Sequence, residues 1–182
     1  MSTVLTETKT TWVADPTHSE IVFKVRHLMI TNVKGEFRKF EAVIDGEDFT
    51  KSKITASIDV ASVFTNDDNR DVHLKAADFF DVEKYTEILF EGKSFRKIDE
   101  ENYTMKGLLT IKGIAKEVSF HVEYGGTNKD PWGNEKAGFS LSGKISRKDW
   151  GMNFNAALET GGVMLSDEVK INAEIQFIKK SA

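Results

Sequence analysis

The stretch Val169-Lys170-Ile171-Asn172-Ala173-Glu174-Ile175-Gln176-Phe177 alternates apolar and polar side chains without a break. A period of two is the signature of a strand with one dry face and one wet face. The same rhythm lies just upstream. Val118, Phe120, Val122 and Tyr124 alternate with Glu117, Ser119, His121 and Glu123. Ala137, Phe139, Leu141, Gly143 and Ile145 keep it, as do Ile54, Ala56, Ile58 and Val60. Ile21, Phe23 and Val25 carry it near the start. Strands that are half wet pair antiparallel, because parallel strands are apolar on both faces. About eight or nine short strands in one chain imply an all-β sandwich or a closed barrel.

Turn signals part these runs. Asp45-Gly46 is expected to close a hairpin, and Gly125-Gly126, with the loop to Asn134, another. Glu100-Glu101-Asn102 separates two more strands. One to three short helices interrupt the pattern. Residues 66–80 carry Asn66 as a candidate N-cap, acids in the first turn, and Val72 at helical spacing from Ala76. Asp15-Pro16 is a second helix start, and Ala156–Glu159 before Gly161-Gly162 a third. Residues 1–10 read as a flexible polar leader and residues 11–182 as one domain.

Composition removes several classes of function. There is no cysteine, which excludes disulfides, thiolate metal sites and cysteine nucleophiles. A net charge of −4 argues against nucleic acid as the main partner. No run of about 18 apolar residues offers a membrane span. Residues 1–10 lack a basic region followed by an apolar one, so a cytoplasmic location is expected unless a leader has been removed. His18, His27, His73 and His121 show no zinc-protease spacing, and no metal or cofactor is expected. Gly-x-Ser-x-Gly is absent, so nothing in the sequence supports an enzyme. The 13 phenylalanines against 3 tyrosines are more informative. A small barrel holds either a plug of side chains or one ligand, and phenylalanine would make that interior apolar.

A set of strings in fixed order goes further. It comprises Asp15-Pro-Thr-His-Ser19, Val25-Arg-His-Leu-Met-Ile30, Val33-Lys-Gly-Glu-Phe37, Ile58-Asp59, Arg70-Asp-Val-His-Leu74, Asp78-Phe-Phe-Asp81, Gly107-Leu-Leu-Thr-Ile-Lys-Gly113, Arg147-Lys-Asp-Trp-Gly151 and Leu158-Glu-Thr-Gly-Gly-Val163. Together they resemble the YceI-like family of bacterial polyisoprenoid-binding proteins over about residues 11–178. Thr86-Glu87 and Ala115 depart from the family pattern at two local positions. The resemblance implies a lipocalin-like, up-and-down antiparallel barrel of about eight strands. It implies an interior channel for a long isoprenoid or fatty chain, and a homodimer.

The side chains expected along that channel are Phe23, Val25, Phe37, Phe40, Ile58, Phe64, Leu74, Phe79, Phe80, Phe90, Leu108, Phe120, Phe139, Leu141, Trp150 and Phe154. Arg26, Arg70 and His73 are candidates for a polar mouth that meets a head group. The Arg70–His73 string has a second reading, a knot that ties the helical segment to the barrel through Asp71 and Asp78. Trp150 likewise has the reading of a plug at one end of the barrel. Three functions stay open: a carrier, store or scavenger of a prenyl lipid, quinone or fatty chain; a stress-related structural barrel with a filled core; and an enzyme acting on a prenyl lipid.

Overall fold

The computed structural model describes residues 9–181. The strands are β1 (Thr10–Ala14), β2 (Glu20–His27), β3 (Thr31–Phe37), β4 (Phe40–Asp45), β5 (Lys53–Asp59), β6 (Val63–Phe64), β7 (Glu87–Lys97), β8 (Asn102–Ile111), β9 (Ile114–Lys129), β10 (Glu135–Ser146) and β11 (Leu165–Ser181). One α-helix, α1 (Asp68–Lys75), stands between β6 and β7. Every pairing is antiparallel, in the order β1-β4-β5-β7-β8-β9-β10-β11, and β11 returns to β1.

Eight staves account for all eleven strands. β1 and β2 lie along the same edge of β11, with Val13 opposite Ile178 and Phe23 opposite Ile171. They are one stave, broken by a 3-10 turn at Pro16–His18. β3 with β4 forms the next stave, and β5 with β6 the one after. The three breaks sit side by side. Asp59 N–H donates to the Lys39 carbonyl (2.9 Å) and Arg38 N–H to the Ser62 carbonyl (3.2 Å). Bends on adjacent staves let one side of the wall fold at a common line without orphaning its backbone groups. The chain is therefore an up-and-down barrel of eight staves, one of the two architectures the alternation allows and the one the resemblance implies.

Local chemistry explains the first break. Asp15 caps the turn, accepting from Thr17 N (3.0 Å) and Thr17 Oγ1 (2.7 Å), with proline in the first turn. The helix at 68–75 is capped by Asp67 rather than Asn66, which takes the left-handed φ of 64°. Val72 and Ala76 face solvent; the apolar contacts inward come from Leu74, Phe79 and Phe80. Among the described residues no helix is long and apolar enough to cross a membrane.

Several expected boundaries move. Residues 1–8 of the expected leader lie outside the described residues. Thr10 is buried in β1, its hydroxyl donating to Glu47 Oε1 (2.9 Å), so the strand begins inside the expected leader. The β4–β5 hairpin does turn at Asp45-Gly46, through a longer loop, residues 46–52, that carries Phe49 back over the barrel end. Gly125-Gly126 lies within β9 at a bulge, and the turn falls at 130–134, where Asp130 Oδ1 accepts from Trp132 N and Asn134 N (both 2.9 Å). Ala156–Glu159 is not helical; Ala157 bridges Val163 instead. The glycine pair after it folds the segment back before a helical turn can close.

Candidate functional site

The inward faces of the staves enclose a cavity of about 400 Å³, in the size range of small-molecule sites. All but six of its lining residues are apolar; the exceptions are His27, Thr55, Thr65, Arg70, His73 and Arg147. Alternation puts these apolar faces in one place, because every second residue of each stave points to the axis. A void of this size exceeds the occasional packing defects of a domain core.

One end is stoppered by Phe49 from the 46–52 loop. Its ring meets Phe139 (5.2 Å), Trp12 (5.5 Å) and Tyr124 (5.8 Å) edge-on. The other end is covered by the segment between β6 and β7 and by the connection from β10 to β11. His73 and Phe154 pack edge to face at 4.8 Å, Phe79 and Phe154 at 5.3 Å, and Phe37 and Phe80 at 5.7 Å. Among the described residues no ladder of paired strands crosses this second closure; side chains and a few backbone bonds, such as Leu28 N–H to the Met164 carbonyl (2.8 Å), hold it.

Polar groups gather at that covered end and are tied down. Arg70 Nε donates to Thr65 Oγ1 (2.8 Å), and its Nη2 to the Thr65 carbonyl (2.7 Å). Asp71 is buried and accepts from Thr65 N (2.9 Å) and Thr65 Oγ1 (2.6 Å). His73 Nε2 lies 3.0 Å from Asp78 Oδ2. Arg147 is buried, and donates to the carbonyls of Met152 (2.7 Å), Phe154 (2.7 Å) and Ser166 (2.9 Å). Desolvation pushes the Arg147 guanidinium below its usual range, while Asp167 at 3.9 Å opposes that shift. An arginine stays charged regardless, so carbonyl dipoles carry most of its compensation. Among the described residues no cluster of three or more His, Asp or Glu side chains could hold a metal ion.

The cavity brings together Phe23, Val25, Phe37, Ile58, Leu74, Phe79, Phe80, Phe90, Phe120, Phe139, Leu141 and Phe154, with Arg70 and His73. It does not include Phe40, Phe64, Leu108, Trp150 or Arg26. Leu108 points outward because Leu109 is the inward member of the pair. Phe64 is covered by the Arg38 guanidinium, 3.5 Å from its ring centre. Phe40 sits at the stave break, opposite Ile58. Trp150 is buried outside the cavity, its Nε1 donating to the Leu109 carbonyl (3.0 Å). Arg26 is exposed, its Nε on the Met29 carbonyl (3.2 Å). Sequence reasoning missed Phe49, whose loop gives no periodic signal, and Arg147, whose burial depends on carbonyls up to nineteen residues away.

The same geometry is found elsewhere. A family model described as the YceI-like domain matches residues 12–177. The chain belongs to the YceI-like family. A UPF0312 protein of Staphylococcus aureus (strain bovine RF122 / ET3-1) is 43% identical over 171 residues, spanning 92% of this chain and 97% of that one. The crystal structure of a Campylobacter jejuni YceI protein is 40% identical, with a TM-score of 0.74 over 85% of this chain and 90% of the other. A polyisoprenoid-binding domain from Saccharophagus degradans shares the fold at 15% identity, with a TM-score of 0.71 over 93% of this chain and 98% of that one. The fold is thus shared with a chain from which most of the sequence differs.

Proposed function

We propose that this protein holds a long apolar lipid (an isoprenoid, an isoprenoid quinone or a fatty chain) in the barrel, as carrier, store or scavenger. The observation that carries the reading is the apolar cavity of about 400 Å³ inside the closed staves. Each methylene moved there from water contributes about 0.8 kcal/mol, so a long tail needs no directed contacts along its length. The Saccharophagus degradans neighbour, described as polyisoprenoid-binding, supports the same class of ligand. The size of the cavity weighs against the filled-core reading. Binding fits better than catalysis, because Arg70, Asp71 and Arg147 are engaged in holding backbone and neighbouring side chains. Arg70 and His73 line the cavity with His27, Thr65 and Arg147, and are the pair proposed to meet a polar head.

Native mass spectrometry of the purified protein, followed by organic extraction, tests this. A stoichiometric adduct that extracts as a prenyl or fatty lipid is the expected result. A mass equal to the bare chain, unchanged after incubation with prenyl lipids and quinones, would refute it. The same native mass tests the expected homodimer.

A further inference from the structure

The β2–β3 hairpin turn is built against local preference. Ile30 N–H bonds the His27 carbonyl (3.2 Å), and the two central residues, Leu28 and Met29, take left-handed φ values of 52° and 66°. Such a turn favours asparagine and glycine; large side chains there cost on the order of 1 kcal/mol or more each. Leu28, Met29 and Ile30 are also exposed, by 40%, 54% and 72%. The turn lies at the covered end of the cavity. Leu28 N–H bonds the Met164 carbonyl (2.8 Å), and Met164 and its neighbour Leu165 line the cavity. A β-carbon at Gly162 would touch Met29, so exposed Val163 stands beside the tip and widens the apolar edge.

Behind the tip lies a row of like charges. Lys34 pairs with Lys24, Lys24 with Lys170, and Lys170 with Lys144, directly opposite one another across β3, β2, β11 and β10. All four alternate with inward residues, so all four lie on the outer face. Like charges directly opposite destabilise a sheet. Lys144 has Glu168 at 3.7 Å; among the described residues Lys24, Lys34 and Lys170 have no carboxylate within ion-pair distance. Four residues farther from the tip the same staves carry Glu20 opposite Glu174. Tip-ward of the row Arg26 and Lys148 stand against Asp167 and Glu168, and on the other side lie Glu36, Glu20 and Glu174, so the excess of positive charge is confined to the tip half of the face. At about 3.3 Å per residue the lysine row sits roughly 10 Å behind the turn. Apolar groups of interfacial segments sink about 5–10 Å below the head groups, which sets the lysines at phosphate depth.

We infer that the 28–30 tip with the Lys34–Lys24–Lys170–Lys144 row docks on an anionic lipid surface and presents the covered end of the barrel to it. The surface rests on the reading of the barrel as a lipid holder, and supplies that reading with a place where cargo is exchanged. A two-fold contact centred on the lysine row would set like charges together; a second copy shifted so that the row meets Glu20 and Glu174 would instead give a dimer in the native mass that Lys24→Gln with Lys170→Gln dissolves, a result that would overturn the assignment.

The test is co-sedimentation of the full chain with vesicles of phosphatidylcholine alone or mixed with phosphatidylglycerol. Binding to the mixed vesicles that weakens with salt is expected. Lys24→Gln with Lys170→Gln should weaken it about thirty-fold, the equivalent of ~1 kcal/mol for each basic group. Ile30→Asp should weaken it independently. The paired lysine variant should melt no lower than the parent, since neutralising it relieves repulsion; a lower melting temperature would make the lysines structural and overturn the assignment. Equal binding to both kinds of vesicle, or binding unmoved by both sets of substitutions, also overturns it. So does retention on duplex DNA in place of vesicles. Uptake of a fluorescent fatty acid is read in parallel. Uptake without vesicle binding refutes the docking face alone, and vesicle binding without uptake refutes the lipid-holding barrel.

Discussion

Gly143 stands beneath the ring of Phe120, and a β-carbon there would fall inside van der Waals contact of that ring. Gly35 under Phe23 and Gly107 under Phe90 repeat the device. Rings lying against bare backbone sit closer to the wall than a β-carbon would allow, which leaves more of the enclosed space open. Gly143→Ala should therefore tip the Phe120 ring into the cavity, at a strain of about 1–3 kcal/mol. Titration with fatty chains of increasing length should show long chains losing about tenfold in affinity and short ones little. Phe120→Asp should abolish uptake, because an isolated carboxylate in an apolar cavity costs several kcal/mol. Full uptake by a folded Phe120→Asp variant would move the ligand elsewhere. Arg70 is bound to Thr65 twice, so Arg70→Ala should lower the melting temperature whatever the ligand. If the guanidinium also meets a head group, a quinone or pyrophosphate ligand loses more affinity than a plain hydrocarbon; equal loss assigns Arg70 to the knot alone. Much of this site could be read from alternation, since Phe120, Phe139 and Leu141 fall on dry faces. The double leucine at 108–109 defeated that logic, because a shift of one residue exchanges the faces. Trp150 was read as channel or plug, and only the distant Leu109 carbonyl fixes it outside the cavity.

Asp15 controls the first break in the staves. Hydrogen bonds from the Thr17 hydroxyl, then His18, and from Thr17 N–H and Lys136 hold its carboxyl well below the usual carboxylate range, against desolvation. A carboxyl depressed in the folded state contributes stability above its unfolded pKa of about 3.9, and that contribution fades as pH falls toward the folded value. Asp15→Asn keeps one acceptor oxygen and removes the charge. It should cost about 1–2 kcal/mol at neutral pH, with the gap to the parent closing as pH drops below about 4, read by urea unfolding across pH. A gap independent of pH would deny the charge its role. The strands themselves were legible because one face of each is buried and the other wet. The breaks were not, although Asp15-Pro16 announced a helical turn. That the turn interrupts a single stave depends on β11 running past both halves. Gly125-Gly126 looked like a turn because glycine serves bulges and turns alike, and the pairing of Gly126 with Gly138 decides between them.

At the scale of the whole molecule the two ends of the barrel are closed by different means. Phe49 seals one end within an aromatic cluster that includes Trp12 and Phe139, fixed where β1 joins β4 and β11. The other end rests on side-chain contacts of the 65–86 segment and of Phe154 and on isolated hydrogen bonds, with no ladder of paired strands across it among the described residues. A closure without a ladder opens locally at less cost than the paired wall, so this end is expected to open first. Hydrogen exchange should find the amides of α1 less protected than those of β9 and β10. The cavity between the ends has a thermodynamic consequence. A ligand that binds only the folded barrel stabilises it by RT ln(1 + [L]/Kd), about 2.7 kcal/mol at a hundredfold excess over Kd. For a domain of this length, 1 kcal/mol shifts the melting temperature by roughly 2–4 °C, so delipidation should lower it by about 5–10 °C. Adding back an extracted lipid should restore the loss, and scanning calorimetry of the native, stripped and reloaded protein would follow the cycle. A core packed solid with its own side chains has no room for that cycle, and would give three superimposable transitions.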